Sequence, residues 1–300
     1  MSALLRSVRD GRGFDGVLAL LALAYLLVFS AFPLVYNIAM SFQEVDMFSL
    51  ASLIRPFVGL ANYHTLFSNP DFWPIMWNTA VFVGLCIIFQ LAIGFGLALF
   101  FQQDFIGATY LRGLFLAAWI IPALVAGAVW KWIFAGDFGV LNYLLMSSGL
   151  INEKIFWLST PALSLYSVVL ANIWLGIPFN MILLSVGLAG IPKDMYEAAA
   201  LDGAGAWKRF FYMTLPMMRS TIGAVLSLGI IFTLQQFDLF ASLTQGGPAN
   251  SSNVAQYWSW QLSFQNYDIA TGSAVSVLML GFVIVVAFLY VRSTRQEHQA

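Results

Sequence analysis

Residues 190–219 read GIPKDMYEAAALDGAGAWKRFFYMTLPMMR and form the longest polar interval between two long apolar runs of the chain. Pro192 is suited to open a short helix there, because a first-turn proline lacks only an N–H that would have no helical partner. Gly203 and Gly205 tolerate positive φ and are expected to end that helix. The first half of this stretch therefore predicts a short surface helix.

The second half of the stretch predicts another small helix, over residues 207–213, which Leu215-Pro216 is expected to stop. In the first helix the small and apolar residues are expected near one face, at Met195, Ala198, Ala199 and Leu201. Two small helices joined by a glycine turn and held against a membrane would form a docking surface for another protein.

Composition excludes a soluble globular protein. The 300 residues are 60% hydrophobic and 9% charged, with a mean hydropathy of +0.83, whereas about a quarter of the residues of a soluble domain are charged. The chain lacks the alternating segments of an outer-membrane barrel. Its net charge of −1 argues against a nucleic-acid partner. The single cysteine, Cys86, lies in an apolar run and offers neither a disulfide nor a Cys-based metal site.

Six apolar runs are long enough to cross a membrane, which requires about 20 residues each. They cover approximately residues 16–41, 78–101, 113–134, 161–188, 220–243 and 269–291. The predicted fold is therefore an all-α polytopic membrane protein with six transmembrane helices. The predicted regions are an N-terminal segment (1–15), a transmembrane domain (16–291) that contains the 190–219 loop, and a short tail (292–300).

Positive charge predicts the orientation of these spans, because lysine and arginine concentrate in cytoplasmic loops. Ten of the 13 Lys and Arg residues fall on the side that holds both termini and the 190–219 loop. Only Arg55, Lys131 and Lys154 remain for the other side. The termini and the loop are therefore predicted to be cytoplasmic. Three scattered outer cations are weak grounds for an anionic substrate, so the charge of any substrate stays open.

Polar side chains inside the fourth and fifth spans are candidate pathway residues, because such groups are costly in lipid. The fourth span carries Asn172 and Asn180 on either side of Gly176 and Pro178, and the fifth carries a polar group near its predicted outer half. That group consists of Thr233, Gln235, Gln236 and Asp238. Amides beside aromatic rings are suited to bind carbohydrate. The same amides could instead join neighbouring helices by hydrogen bonds.

The 190–219 loop resembles the EAA loop of bacterial ABC-importer membrane subunits. Met213 stands where that family often has isoleucine, which keeps an apolar residue there. In the family this loop is the coupling helix, which seats in a groove of a separate ATPase, and the fold is the type I importer permease fold. The residues that the resemblance assigns to ATPase coupling are Glu197, Ala198, Ala199, Asp202, Gly203, Leu215 and Pro216.

Three further passages resemble the sugar-importer branch of this family: GLANYHTLFSNPDFW (59–73), NIWLGIPFN (172–180) and LTQGGPAN (243–250). The second is similar to a segment of the larger membrane subunit of maltose importers, although this chain lacks the large extracytoplasmic domain of that subunit. Thr233 and Gln236 stand where that subunit has asparagines, which implies a different substrate. The substrate-binding residues implied by the resemblance are Asn172, Leu175, Gly176, Phe179, Gly229, Phe232, Thr233 and Gln236.

The resemblance also implies partners and a location. These are a second permease subunit, two cytoplasmic ABC ATPase subunits that bind ATP and Mg, a sugar, and a solute-binding protein that meets loops 42–76 and 244–268. The location is the bacterial inner (plasma) membrane. This chain has no G-x-x-x-x-G-K-[ST] phosphate loop, so it is expected to be a transport subunit without enzymatic activity and without a cofactor of its own.

The alternative function is a proton-coupled secondary sugar carrier that acts alone. Such a carrier needs ionisable residues within its spans, and Asp238 is the only acidic residue predicted well inside one. His64 and His298 lie outside the spans without clustered acidic partners. The residues therefore favour the ATP-driven importer.

Overall fold

The computed structural model describes residues 12–52, 55–103 and 105–297, which are predominantly helical. The predicted segment 1–15 and tail 292–300 therefore lie partly outside the described residues, as does His298. In chain order the helices are α1 (Arg12–Leu26), α2 (Phe32–Ser41), α3 (Ala61–Ser68), α4 (Phe72–Phe101), α5 (Ala108–Ile120), α6 (Ala123–Ile133), α7 (Val140–Ser147), α8 (Pro161–Ala189), α9 (Lys193–Leu201), α10 (Ala206–Arg209), α11 (Leu215–Met217), α12 (Arg219–Leu234), α13 (Asp238–Leu243), α14 (Ala255–Trp260) and α15 (Ile269–Glu297). Three π-helical turns join consecutive helices, at Leu27–Ala31, Phe210–Thr214 and Gln261–Gln265.

Five helical stretches are long and apolar enough to cross a membrane: Asp15–Ser41, Phe72–Phe101, Pro161–Ala189, Arg219–Leu243 and Ile269–Arg292. They correspond to the first, second, fourth, fifth and sixth predicted spans. The second span begins at Phe72, well before its predicted start at residue 78. The all-α polytopic fold is therefore confirmed.

The third predicted span, residues 113–134, is not one continuous helix. It consists of α5 and α6, whose axes differ in direction by 97°. Ile121 is extended between them, with ψ 126°. The cause is Pro122, since a proline disfavours helical geometry in the residue before it and supplies no backbone N–H. Counting the bent pair as one span gives six.

The chain divides into two compact units. One comprises the described residues up to 68 together with 259–277, and the other comprises residues 69–258 with the described residues from 278 onward.

In the first unit, hydrogen bonds hold the connection between α2 and α3. The Asn62 side-chain amide donates to the carbonyl oxygens of Ser41 and Gln43, at 2.9 Å each. Arg55 is buried and donates from Nε to the Ser49 carbonyl at 2.8 Å. The positive charge of Arg55 is thus engaged by its own loop.

In the second unit the most extensive helix pairing is between α4 and α8. Both are about 30 residues long, which is more than a bilayer crossing requires. At one end of the pair an apolar cluster joins them to the start of α12. Its buried members are Ala98, Phe101, Met181, Leu184, Leu188, Ile191, Met218 and Val225. This cluster supports the 190–219 loop, because its members Ile191 and Met218 lie at the two ends of that loop.

The 190–219 loop forms two helical segments as predicted, with three differences. Pro192 precedes α9 in an extended conformation, with ψ 135°, instead of occupying its first turn. Gly203 has the expected positive φ, at +77°, whereas Gly205 is extended. Pro216 does not stop the second helix: helical backbone continues from Ala206 to Met217 through the π-turn at Phe210–Thr214. A proline is tolerated there because it lies at the start of α11, directly after the wider turn.

Candidate functional site

A cavity of about 370 Å³ lies between α4, α8, α12 and the break between α5 and α6. Its lining residues are Gln90, Trp119, Ile121, Ala123, Asn172, Leu175, Gly176, Phe179, Asn180, Gly229, Phe232, Thr233 and Gln236. All eight residues that sequence analysis assigned to substrate binding are among them. The volume is in the lower part of the roughly 300–1,000 Å³ range of small-molecule sites.

Helical periodicity explains how two separate segments meet in one cavity. On α8 the lining residues Asn172, Gly176 and Phe179 follow the i, i+4, i+7 spacing that places side chains on one helix face. Gly229, Thr233 and Gln236 repeat the same spacing along α12 and into the connection that follows it. Gln235 and Asp238, the other polar candidates of the fifth span, are exposed and do not line the cavity.

Hydrogen bonds donated by amide side chains join three spans at the cavity. Gln90 Nε2 on α4 donates to the backbone carbonyl oxygen of Asn172 on α8, at 2.8 Å. The side-chain oxygen of Asn172 accepts a hydrogen bond of 3.0 Å from Gln236 Nε2. Asn180 Nδ2 donates to the carbonyl oxygen of Gly176 at 2.9 Å. Residue 172 is therefore held from both sides, through its main chain and its side chain.

Gly176 is the contact point between α4 and α8 at this level. A Cβ atom at residue 176 would lie 2.3 Å from both Cδ and Nε2 of Gln90, which is far inside van der Waals contact. Only a glycine therefore leaves room for the Gln90 amide in its observed position. The glycine and the amide form one structural element, in which each requires the other.

Aromatic rings form the apolar part of the cavity wall. Phe179 contacts Phe232 edge-to-face, with centroids 5.4 Å apart, and lies 5.9 Å from the ring of Trp119. Trp119 and Phe232 are each more than half exposed. Rings with accessible faces beside amides are the combination that binds sugars, whose C–H faces stack on the rings while their hydroxyl groups bond to the amides.

Sequence analysis missed Gln90 and Trp119 as cavity residues. Gln90 is 4% exposed and is the only amide between Asn78 and the end of α4. The rule that a polar residue inside a span has a function could have identified it. Trp119 had no such signal, because its position depends on the bend at Pro122.

The residues assigned to ATPase coupling lie on α9 or directly after it, except Leu215 and Pro216, which lie on α11, and none of the seven is buried. Glu197, Ala198, Asp202 and Gly203 are exposed, Ala199 is half-buried, and Leu215 and Pro216 are exposed. Within the part of the chain that the structure describes, the one ion pair joins Lys154 and Asp137, so Glu197 takes part in none there.

Tyr196 attaches α9 to the rest of the second unit, which sequence analysis also missed. Its ring packs on the apolar cluster below the loop, and its hydroxyl is 2.9 Å from Oγ1 of Thr214. Thr214 is buried in the π-turn. The two halves of the 190–219 loop are thus joined to each other and to the apolar cluster between α4, α8 and α12.

A second, more open cavity of about 760 Å³ lies at the opposite end of α6 from Ala123. Its lining includes Lys131, Trp132, Phe138, Trp157 and Gln245. Near it, the Asn78 amide contacts the carbonyl oxygens of residues 250, 251 and 253 at 3.1–3.2 Å. These bonds hold the loop that contains LTQGGPAN to the start of α4. No group of three or more potential metal ligands occurs among residues 12–52, 55–103 and 105–297.

Comparison with known proteins gives a consistent result. The family model described as binding-protein-dependent transport system inner membrane component matches residues 90–296. The chain is 33% identical to a sulfoquinovosyl glycerol transport system permease protein of Agrobacterium fabrum, over 94% of this chain and 92% of that protein. It is also 33% identical to a trehalose/maltose transport system permease protein of Thermococcus litoralis, over 79% of each chain.

A solved structure has the same fold. A chain of a bacterial alginate ABC transporter, crystallised with an alginate pentasaccharide-bound periplasmic protein, superposes with a TM-score of 0.81 at 19% identity. The superposition covers 97% of this chain and 96% of that chain. At this identity the likeness concerns the fold alone.

Proposed function

The chain belongs to the family of binding-protein-dependent transport system inner membrane components, and from this premise we propose that it forms half of the translocation pathway of an ATP-driven importer of a sugar or sugar derivative. Members of this family are non-catalytic membrane subunits of the inner membrane. ATP and Mg would be bound by two partner ATPase subunits, and a second permease subunit would complete the pathway. A solute-binding protein would deliver the substrate.

The observation that carries this proposal is the convergence of eight residues from two spans on one cavity. Those residues lie far apart in sequence, on α8 and on α12 with the connection that follows it. Interhelical hydrogen bonding alone would not require the aromatic residues Phe179 and Phe232 to border the same space as Asn172 and Gln236. The convergence therefore supports a substrate site.

The path from ATP to this cavity runs through α8 in our proposal. The helix is continuous from Pro161 to Ala189 and carries the cavity residues in its middle. Only residues 190–192 separate it from α9, the helix that would seat in the ATPase. Closure of the two ATPase subunits would displace α9, and α8 and α12 would move with it as packed, rigid elements. The cavity would then open alternately to either side.

The orientation follows from charge in this account. The 190–219 loop must face the cytoplasm to meet the ATPase, and ten of 13 cationic residues fall on its side. The solute-binding protein would meet the other side, where the 42–76 and 244–268 loops lie. The names of the relatives, which specify trehalose, maltose and sulfoquinovosyl glycerol, support a sugar or sugar derivative as the substrate class.

The test is reconstitution of the complete complex in proteoliposomes, followed by measurement of sugar-stimulated ATP hydrolysis. We expect Glu197→Lys to reduce the stimulation by about tenfold or more, because reversing a charge at a protein interface costs on the order of 2–5 kcal/mol. Glu153→Lys is the matched control, since Glu153 is also exposed but lies in the connection between α7 and α8. Unchanged stimulation with Glu197→Lys would contradict the coupling role. Uptake driven by a pH gradient alone would favour the secondary carrier instead.

A further inference from the structure

The cavity between α4, α8 and α12 is polar but carries no ionisable side chain. Of its 13 lining residues, five have polar side chains, and all of these are amides or hydroxyls. They are Gln90, Asn172, Asn180, Thr233 and Gln236. The remaining lining residues are aromatic, aliphatic or glycine. A charged ligand would therefore find no counter-charge in the wall that this chain provides.

We propose that the substrate of this cavity is an uncharged carbohydrate, and that Gln90 is a specificity-determining residue that helps to select it. This inference rests on the proposed function and narrows it from sugars and sugar derivatives to neutral sugars. A carboxylated or sulfonated sugar would incur a large desolvation penalty here, because the wall that this chain provides holds no cation to offset the loss of hydration.

The hydrogen bonds among the amides support the same conclusion. Gln90, Asn180 and Gln236 each donate one N–H to α8, to the carbonyl oxygens of Asn172 and Gly176 and to the side-chain oxygen of Asn172. Within the described residues, no protein donor bonds to the side-chain oxygens of the three donating residues. Each of these amides therefore retains two acceptor lone pairs but only one free N–H.

An excess of acceptors selects for ligands that donate hydrogen bonds. A sugar hydroxyl donates one hydrogen bond and can accept others, so it can bind to an amide oxygen. A carboxylate or sulfonate group only accepts, so it could use the three free N–H groups but would leave all the amide lone pairs without a donor. The pattern of bonds at Asn172 thus favours a neutral polyhydroxylated ligand for a reason independent of net charge.

The three cations of the predicted outer side could have bound an acidic sugar, but each is bonded to other groups or lies outside this cavity. Arg55 donates to carbonyl oxygens of its own loop, and Lys154 pairs with Asp137 at 3.9 Å. Lys131 lines the other cavity, of about 760 Å³. None of these three residues lines the cavity that contains Gln90.

Gln90 determines the shape of this cavity. Its amide fits only because residue 176 is a glycine, and its hydrogen bond holds the main chain of Asn172 in place. Replacing Gln90 with methionine keeps the length of the side chain but removes both its bond to Asn172 and its free oxygen. We expect Gln90→Met to raise the KM for uptake by about tenfold while the maximal rate changes less, since a lost hydrogen bond acts on recognition. Gln90→Asn, which keeps the amide on a shorter side chain, should recover part of the loss. Ile88→Met is the control, because Ile88 lies two residues away on α4 but is 62% exposed and does not line the cavity.

The test of substrate charge uses a mixture of matched probes. Proteoliposomes with the complete complex and internal ATP are given glucose with glucuronate, galactose with galacturonate, and maltose with maltobionate, together with trehalose. The lumen is then analysed by mass spectrometry. Accumulation of neutral sugars without their acidic counterparts is expected. Accumulation of an acidic probe at least equal to that of its neutral counterpart would overturn the inference and leave the proposed importer intact. Accumulation of any probe without internal ATP would reject the proposed function itself, and the inference with it.

A charge introduced into the cavity provides a second test. Gln236→Lys places a cation beside Asn172, and we expect it to raise the ratio of acidic to neutral uptake by about tenfold, as a charge-assisted hydrogen bond would. Gln235→Lys is the matched control, because the adjacent Gln235 is exposed and outside the cavity. A ratio that is unchanged in Gln236→Lys, or changed equally by both variants, would overturn the assignment.

Discussion

The close contact between Gly176 and Gln90 allows a quantitative prediction. In Gly176→Ala the new Cβ would lie 2.3 Å from Cδ of Gln90, and Gln90 is 96% buried and cannot move away freely. Overpacking a buried site costs about 1–3 kcal/mol. Displacing the amide from the Asn172 carbonyl adds about 1–3 kcal/mol for an unsatisfied buried group. The higher helix propensity of alanine offsets at most about 1 kcal/mol of this, so the substitution should be destabilising by about 1–6 kcal/mol.

A double variant distinguishes this contact from a general sensitivity of α8. In Gln90→Ala/Gly176→Ala the clash is absent, so the pair should be more stable than Gly176→Ala alone, with a coupling energy of about 1 kcal/mol or more. The assay is the thermal unfolding midpoint of the assembled transporter in detergent. Gly84→Ala is the control, because no atom lies within 4 Å of its added Cβ and it should be neutral or slightly stabilising. A double variant no more stable than Gly176→Ala would refute the reasoning.

Two further predictions concern the attachment of the loops. Tyr196→Phe removes the hydroxyl that bonds to Thr214 at 2.9 Å, a loss of about 1 kcal/mol; we expect more ATP to be hydrolysed per sugar transported, with the exposed Tyr212→Phe as control. An unchanged ratio would argue against a role of that bond in coupling. Asn78→Leu leaves the carbonyl oxygens of residues 250, 251 and 253 without its amide, so limited proteolysis should cut this loop faster. Equal cleavage rates would contradict that prediction.

The transmembrane spans could be predicted because the length of an apolar run is enough to identify them. A run such as 161–188 needs no knowledge of its neighbours, and its helix is found at Pro161–Ala189. The break in the third span also had a local cause, Pro122, but the hydrophobicity of residues 113–134 hid it. Pro216 was wrongly predicted to end a helix. The π-turn directly before it accommodates the proline, so the helical backbone continues.

The candidate cavity was predictable in part. The likeness to sugar importers indicated eight residues in two spans, and their helical spacing explains why the structure brings them to one cavity. Gln90 and Trp119 come from other spans, so only the packing of α4 and the bend after α5 brings them there. Tyr196 was missed for the same reason, because its partner Thr214 lies 18 residues away across the loop.

The central claim is that this chain converts work done by separate ATPases into movement of a sugar. Its most direct test compares ATP-dependent accumulation of radiolabelled sugar in three sets of proteoliposomes: those with this chain alone, those with both permease subunits, and those with the complete complex and its solute-binding protein. The account predicts accumulation against a gradient only in the third set, and its loss when ATP is omitted. Accumulation by this chain alone, with or without a pH gradient, would contradict it.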